Sequence, residues 1–180
     1  MQEDNTLVAD CTKGDRAAQR ALYQKYAARM MTVCLRYCRC REDAEDVLQE
    51  AFVKVFNHIE TFRQDSTLAY WIKRIVINTA LNYHRKSVYL YPHLDVDEVH
   101  SLGTDDTTLS NYHFNELLQL LKTLPQGCQV IFNLHAIEGY KHREIATMLQ
   151  ISEGTSKSQY ARARSLLQEM ITEKGEVKHG

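Results

Sequence analysis

Apolar residues recur at helical spacing in two blocks, separated by a stretch without period. Leu22, Tyr26, Met30, Val33 and Tyr37 stand three or four residues apart and predict a helix over 15–40, with Asp15 as its cap or in its first turn. The clearest pattern is Ala44, Val47, Leu48, Ala51, Phe52, Val55, Phe56 and Ile59, which predicts a helix over 42–60 with one buried stripe. After a polar loop, Thr61 to Ser66, a third helix is predicted over 67–86, burying Leu68, Ile72, Ile75, Val76, Thr79 and Tyr83. Three such helices bury one another's stripes, so residues 1–87 are expected to form one helical domain.

Residues 88–112 carry Pro92, Gly103 and several Ser, Thr and Asn, and read as a solvated, flexible linker. Periodicity returns over 113–174. Phe114, Leu117, Leu118 and Leu121 mark a helix that stops before Pro125; Cys128, Val130, Ile131, Leu134 and Ile137 mark a second, closed by Gly139. Ile145, Ala146, Met148 and Leu149 mark a third, and a fourth runs from Ile151-Ser152-Glu153-Gly154 to about Ile171. The expected class is all-α: two small helical domains joined by a flexible linker, with a helix-turn-helix in the C-terminal one. Two prolines and seven glycines in 180 residues suit long helices and argue against a sandwich or barrel.

Charge adds a division that the net value of −1 hides. Residues 1–87 hold 14 Lys and Arg against 11 Asp and Glu, residues 88–112 none against 5, and residues 113–180 hold 8 against 7. No apolar run is long enough to span a membrane, and Met1-Gln2-Glu3-Asp4 does not begin a signal peptide, so the expected address is the cytoplasm, with no membrane insertion. Five cysteines, an odd number, argue against a disulfide framework.

Candidate chemistry lies first in the C-terminal helix pair. Ile145 and Leu149 face inward, Ala146 is small where the next helix crosses, and Ser152 is placed to cap that helix. From Gly154 to Leu167 there is no acid, while Thr155, Ser158, Lys157, Gln159, Arg162 and Arg164 supply hydroxyls, an amide and cations. Hydroxyls and Lys157 at a helix N-terminus suit phosphate, and Gln159 and Arg162 suit base edges in the major groove. About six phosphate contacts would make such binding fall steeply with salt. The plainer alternative is a helical hairpin with a basic solvent face.

The N-terminal block carries two stripes. Asp43, Asp46 and Glu50 share one face of the 42–60 helix, with Gln49 nearby and no cation from Glu42 to Val53. Like charges so spaced repel, which a basic partner surface would relieve; a solvated acidic face is the alternative. On the 67–86 helix, Trp71, Arg74, Asn78, Asn82 and Arg85 follow steps of three and four beside the apolar face, with Lys86 adjoining and no acid from Ser66 to Tyr91. Phe62 and Arg63 extend this surface from the loop. A ring that stacks, amides that read edges and cations that hold a backbone suit exposed bases. The alternative is a tryptophan buried in the core among ordinary surface cations.

Together these motifs carry a resemblance. Asp43-Ala44-Glu45-Asp46-Val47-Leu48-Gln49-Glu50-Ala51-Phe52 and Trp71-Ile72-Lys73-Arg74-Ile75-Val76-Ile77-Asn78-Thr79-Ala80 resemble the second conserved region of sigma-70 family factors. Glu144-Ile145-Ala146, Ile151 to Ser158 and Arg162-Ala163-Arg164 resemble that family's C-terminal DNA-reading domain. Over residues 10–172 the order and length match the extracytoplasmic-function subgroup of sigma factors. The resemblance implies a domain at 1–87 that binds core RNA polymerase and the −10 element, a linker at 88–112 and a −35 domain at 113–180. It implies that Asp43, Asp46, Gln49 and Glu50 face the clamp helices of the largest subunit. Phe62, Arg63, Trp71, Arg74, Asn78, Asn82, Arg85 and Lys86 would engage the −10 element, and Thr155, Lys157, Ser158, Gln159 and Arg162 the −35 element. The second-subunit flap and an anti-sigma factor are further implied partners, and no cofactor is implied. Two positions depart from the family pattern: Gln150 where glycine is usual, and Ser156 where a branched apolar residue packs, which implies a less tightly docked reading helix.

Two other functions fit fewer residues. A conventional helix-turn-helix regulator accounts for residues 141–172 but leaves the acidic stripe unused. A metalloenzyme would rest on Cys34, Cys38 and Cys40, which lack a second ligand pair.

Overall fold

The computed structural model describes residues 2–90 and 109–177, and every regular element among them is helical. They belong to two separate units, divided between Asp97 and Glu98.

The first unit contains four helices rather than the expected three: α1 (Gln2–Thr12), α2 (Arg16–Tyr37), α3 (Arg41–His58) and α4 (Leu68–Leu90). A single 3₁₀ turn, Ile59–Thr61, extends α3. Asp15 caps α2 as expected, its carboxylate accepting from the Ala17 and Ala18 amides at 2.8 and 3.4 Å. Such a cap contributes about 1 kcal/mol. At the start of α3 the cap is a sulfur: Cys40 Sγ accepts from the Asp43 amide at 3.4 Å. The unforeseen α1 is held to α2 by Tyr26, whose hydroxyl donates to Asp4 at 2.9 Å, and by Lys25, which pairs with Glu3 and Asp4 at 3.0 Å.

Helix α4 packs on both α2 and α3, so its buried face is wider than one stripe. Ile77, Ala80 and Leu81 are buried along with Leu68, Ile72, Val76 and Thr79, while Ile75 and Tyr83 are only half-buried. The ends of the segment expected as linker are helical, because α4 reaches Leu90 and the next helix begins at Leu109. The rest of that segment, residues 91–108, lies outside the described residues.

The second unit contains α5 (Leu109–Lys122), α6 (Gln126–Phe132), α7 (His142–Leu149) and α8 (Glu153–Val177). Its core joins Leu121, Leu124 and Cys128 to Ala163 and Leu167 of α8. After α6 the backbone widens into a π turn, Asn133–Ile137, in which the Glu138 amide donates to the Asn133 carbonyl at 2.9 Å. A π turn inserts one residue into the helical phase. The apolar series is therefore broken after Leu134, and Ile137, expected inside, is exposed. Leu117 is likewise exposed, while its neighbour Leu118 is buried.

Helix α7 opens with Glu144 accepting from the Lys141 amide at 2.7 Å. It ends at Gln150 with φ 57° and ψ 44°, a left-handed conformation at the position where the family usually has glycine. A side chain there carries a strain of about 1 kcal/mol that glycine avoids. Gln150→Gly relieves that strain but adds an unfolded-state entropy cost of about 0.4–1 kcal/mol, so the net gain is at most about 0.5 kcal/mol and the melting temperature of the second unit is expected to hold or to rise by a degree or two. Differential scanning calorimetry checks this; a transition lowered by several degrees would show that the turn is not strained.

Candidate nucleic-acid and partner interfaces

Helix α3 buries Ala44, Val47, Leu48, Ala51, Phe52 and Val55, and this fixes what faces outward. Asp46, Gln49 and Glu50 are exposed together, and Val53, which falls outside the apolar stripe, joins them at 58% exposure. Glu50 is paired to Lys54 at 2.6 Å, and Lys54 also donates to Thr79 of α4 at 3.3 Å. Asp43 is set apart from the other three. It is half-buried, and its carboxylate accepts from the Tyr83 hydroxyl at 2.7 Å across 40 residues. That bond, with burial, raises the Tyr83 pKa well above the usual phenol range. The Asp43 carboxylate therefore ties α3 to α4 and supports the acidic face from behind.

The second surface begins where the 3₁₀ turn ends. Phe62 closes that turn, its amide donating to the Ile59 carbonyl at 3.1 Å. Gln64 follows with φ 63°, which turns the loop sharply before α4. Thr67 caps α4, its hydroxyl accepting from the Tyr70 amide at 3.3 Å. The result brings Phe62 against Trp71, with ring centroids 5.5 Å apart and planes tilted 54°. Both rings are half-buried, so Trp71 sits at the rim of the core. Arg63, Arg74, Asn78 and Asn82 are exposed around and beyond the pair. Tyr70, absent from the expected set, is also exposed, with the Lys73 ammonium 5.7 Å from its ring centre. The side chains of Arg85 and Lys86 lie outside the described residues.

The third surface is the start of α8. Ser152 caps it, its hydroxyl accepting from the Thr155 amide at 2.9 Å and bonding the Thr155 hydroxyl at 2.8 Å. Thr155, Lys157, Ser158 and Arg162 are exposed. Lys157 is paired to Glu153 at 2.7 Å, and this pair lowers the Glu153 pKa. Gln159 is turned inward, its side-chain oxygen accepting from the Cys128 thiol at 3.0 Å. The structure thus brings four of the five expected residues to the surface and ties the fifth to α6. Ser156 overturns the expectation of a loosely docked helix. It is fully buried, and its hydroxyl bonds His142 Nδ1 at 2.9 Å.

All five cysteines are free thiols. Cys11, Cys34, Cys38 and Cys128 are buried. Burial pushes the Cys34 thiol up to about 12 and raises Cys11, Cys40 and Cys128 as well. Such thiols form little thiolate at neutral pH and are poor nucleophiles or redox sensors. Among the described residues, no group of three or more metal-ligating side chains converges.

An all-helical chain with an acidic face, an aromatic-basic face and a capped helix-turn-helix is of the nucleic-acid-binding class. Comparison with known proteins specifies it. The description "Sigma-70 region 2" matches residues 22–88, and "Sigma-70, region 4" matches residues 114–167. The ECF RNA polymerase sigma-E factor of Haemophilus influenzae is 30% identical over 180 residues, covering 93% of this chain and 95% of that protein. The RNA polymerase sigma-H factor of Pseudomonas aeruginosa is 29% identical over 183 residues, covering 95% of each. The solved structure of RpoE in complex with the anti-sigma factor NepR from Bartonella quintana has a similar fold, with a TM-score of 0.60 and 20% identity over 85% of this chain and 96% of that one. CnrH in complex with the cytosolic domain of CnrY gives 0.52 and 20% over 94% and 97%. The chain belongs to the sigma-70 family, in its extracytoplasmic-function class, and is an alternative sigma factor. No described helix is long and apolar enough to cross a membrane.

Proposed function

We propose that this chain delivers core RNA polymerase to its promoters through three surfaces with separate tasks. The observation that carries the proposal is the occurrence, in one chain, of the region 2 and region 4 matches with the Phe62–Trp71 pair at the head of α4. Residues 1–87 form the polymerase and −10 domain, 88–112 the linker and 113–180 the −35 domain. Asp46, Gln49 and Glu50 meet the basic clamp helices of the largest subunit, with Asp43 holding α3 in place for them. Region 4 docks on the second-subunit flap, and the acids of the linker imitate a nucleic-acid backbone in the polymerase channels.

Promoter opening then needs no chemical step. Phe62 and Trp71 offer a face on which an unpaired −10 base stacks, Asn78 and Asn82 read its edges, and Arg63, Arg74, Arg85 and Lys86 hold the strand. Stacking on an aromatic side chain is worth about 1–3 kcal/mol per base, enough to bias a duplex already loosened by polymerase. Arg162 and Ser158 read the −35 element in the major groove, and Thr155 and Lys157 hold phosphates. Phosphate replaces Glu153 as the partner of Lys157, and Gln159 reaches a base only after leaving Cys128. An anti-sigma factor is a further partner, supported by the complex formed by the Bartonella relative. The site of action is the cytoplasm.

Run-off transcription with purified core polymerase on a genomic fragment library tests the whole assignment. New starts that share two upstream motifs are expected when the chain is added. Active polymerase without new starts would favour a conventional regulator.

A further inference from the structure

The hydrogen bond to Ser156 is one part of a larger cluster. His135, in the π turn, stacks on His142 of α7 with ring centroids 4.1 Å apart and planes 23° from parallel. His135 Nδ1 lies 2.8 Å from the Tyr140 carbonyl, which accepts, so that nitrogen carries a proton and its tautomer is fixed. Tyr160 of α8 sets its ring edge-on to both imidazoles, at 4.6 and 5.7 Å, and stacks on Phe132 at 5.9 Å. Three elements therefore meet at two imidazoles: the π turn, α7 and α8. The bond from His142 enters α8 at Ser156, between Thr155 and Lys157. Where an apolar residue would dock the helix by packing alone, this chain uses a buried hydroxyl and a titratable ring.

We propose that His142 is the positioning residue that docks α8, and that its stack with His135 makes this docking, and with it DNA recognition by α8, depend on pH. The recognition half rests on α8 being the reading helix, as proposed above.

The groups facing His142 set the sign. His135 faces it from the π turn, Glu153 and Lys157 from α8, and Arg143 adjoins it on α7. Glu153 is already engaged by Lys157. Burial first, then His135 and Lys157, hold His142 below the ordinary imidazole value, against a smaller opposing effect of Glu153. The unfolded chain therefore takes up this proton before the folded one. The contribution of His142 to docking is complete above about pH 6.5 and is lost as pH falls through the lower folded value. A proton on His142 is disfavoured at this half-buried stack, and the ring relieves this by moving toward water, which breaks its bond to Ser156 and loosens α7 from α8.

Hydrogen exchange on the full chain tests the docking. Protection factors of the α8 amides from Thr155 to Tyr160 are expected to fall severalfold in the wild type between about pH 7.5 and about pH 5.5. In His142→Gln, whose amide keeps a bond to Ser156 without a charge, protection is expected to stay level across that range. His135→Phe, which keeps a ring on the stack and removes the influence second to burial, is expected to show a smaller fall than the wild type. Wild-type protection that does not change with pH, or a fall of equal size in both variants, would overturn the proposal and leave the DNA-reading assignment of α8 standing. The second readout is affinity for a duplex bearing the upstream motif mapped by run-off transcription. His142→Gln should bind as the wild type does at the higher pH and severalfold more tightly at the lower one. Loss of protection without loss of affinity would overturn the recognition half and count against α8 as the reading helix.

Discussion

Replacing both Asp46 and Glu50 with lysine is expected to abolish binding of the chain to core RNA polymerase while leaving its fold intact. Truncating one member of a buried interfacial charge pair costs about 2–5 kcal/mol, and reversal adds repulsion to that loss. Two reversals on one helix face should therefore weaken binding by at least about a thousandfold. The fold should tolerate them because both side chains point away from the stripe formed by Ala44, Val47, Leu48, Ala51, Phe52 and Val55. Glu50→Lys does convert the pair with Lys54 into a repulsion, at a cost of a few tenths of a kcal/mol. Lys54 keeps its bond to Thr79. Co-purification with core polymerase and a urea unfolding curve measure the two quantities separately. Unchanged polymerase binding would refute the role of the acidic face. Asp43→Ala should behave in the opposite way, because it removes the hydrogen bond that the Tyr83 hydroxyl donates across the α3–α4 contact. It should lower the urea midpoint, with a loss of about 1–2 kcal/mol of stability.

The contrast between Asp43 and Asp46 marks how far the sequence was legible. Helical spacing located α2, α3 and α4, and residue type pointed to Ser152 as a cap and to Asp15 as a cap or first-turn residue, because each depends on residues within about one turn of each other. It also put Asp43, Asp46 and Glu50 on one stripe, and could not separate them. The separation depends on Tyr83, forty residues away, and becomes visible only when α4 packs on α3. The same holds for Gln159, which spacing assigns to the DNA face and the Cys128 thiol draws inward. Ser156 is the sharpest instance. A lone serine at an apolar position predicts a loosened helix, whereas the fold supplies His142 to satisfy the hydroxyl. The π turn that brings His135 to that place has no periodic signature, and the misplacement of Ile137 is its trace in the sequence. Helix α1 escaped for a different reason: it is short, and its Leu7, Val8 and Cys11 form too brief an apolar series to register.

Trp71→Ala should lower promoter opening far more than promoter binding. In the proposed assignment the duplex reaches α4 and α8 first through cations and hydroxyls, which the substitution leaves in place. The ring acts only once a base has left the stack. Loss of one stacking platform worth about 1–3 kcal/mol predicts a roughly 10- to 100-fold lower yield of open complex. Phe62 would also lose its ring contact at 5.5 Å, worth about 0.5–1.5 kcal/mol, and the loop carrying Gln64 in its left-handed conformation would lose an anchor. That local loosening is the competing explanation, and Trp71→Phe separates the two, since a phenyl ring keeps a stacking face and the contact to Phe62. Fluorescence of 2-aminopurine placed in the −10 element reports opening, and gel shift of the polymerase–promoter complex reports binding. A template with the −10 region already mismatched should recover part of the lost yield, because the cost of unpairing has been removed while the stacking loss remains. Equal losses in binding and opening, with no recovery on the mismatched template, would sink the stacking role and return Trp71 to the edge of the core.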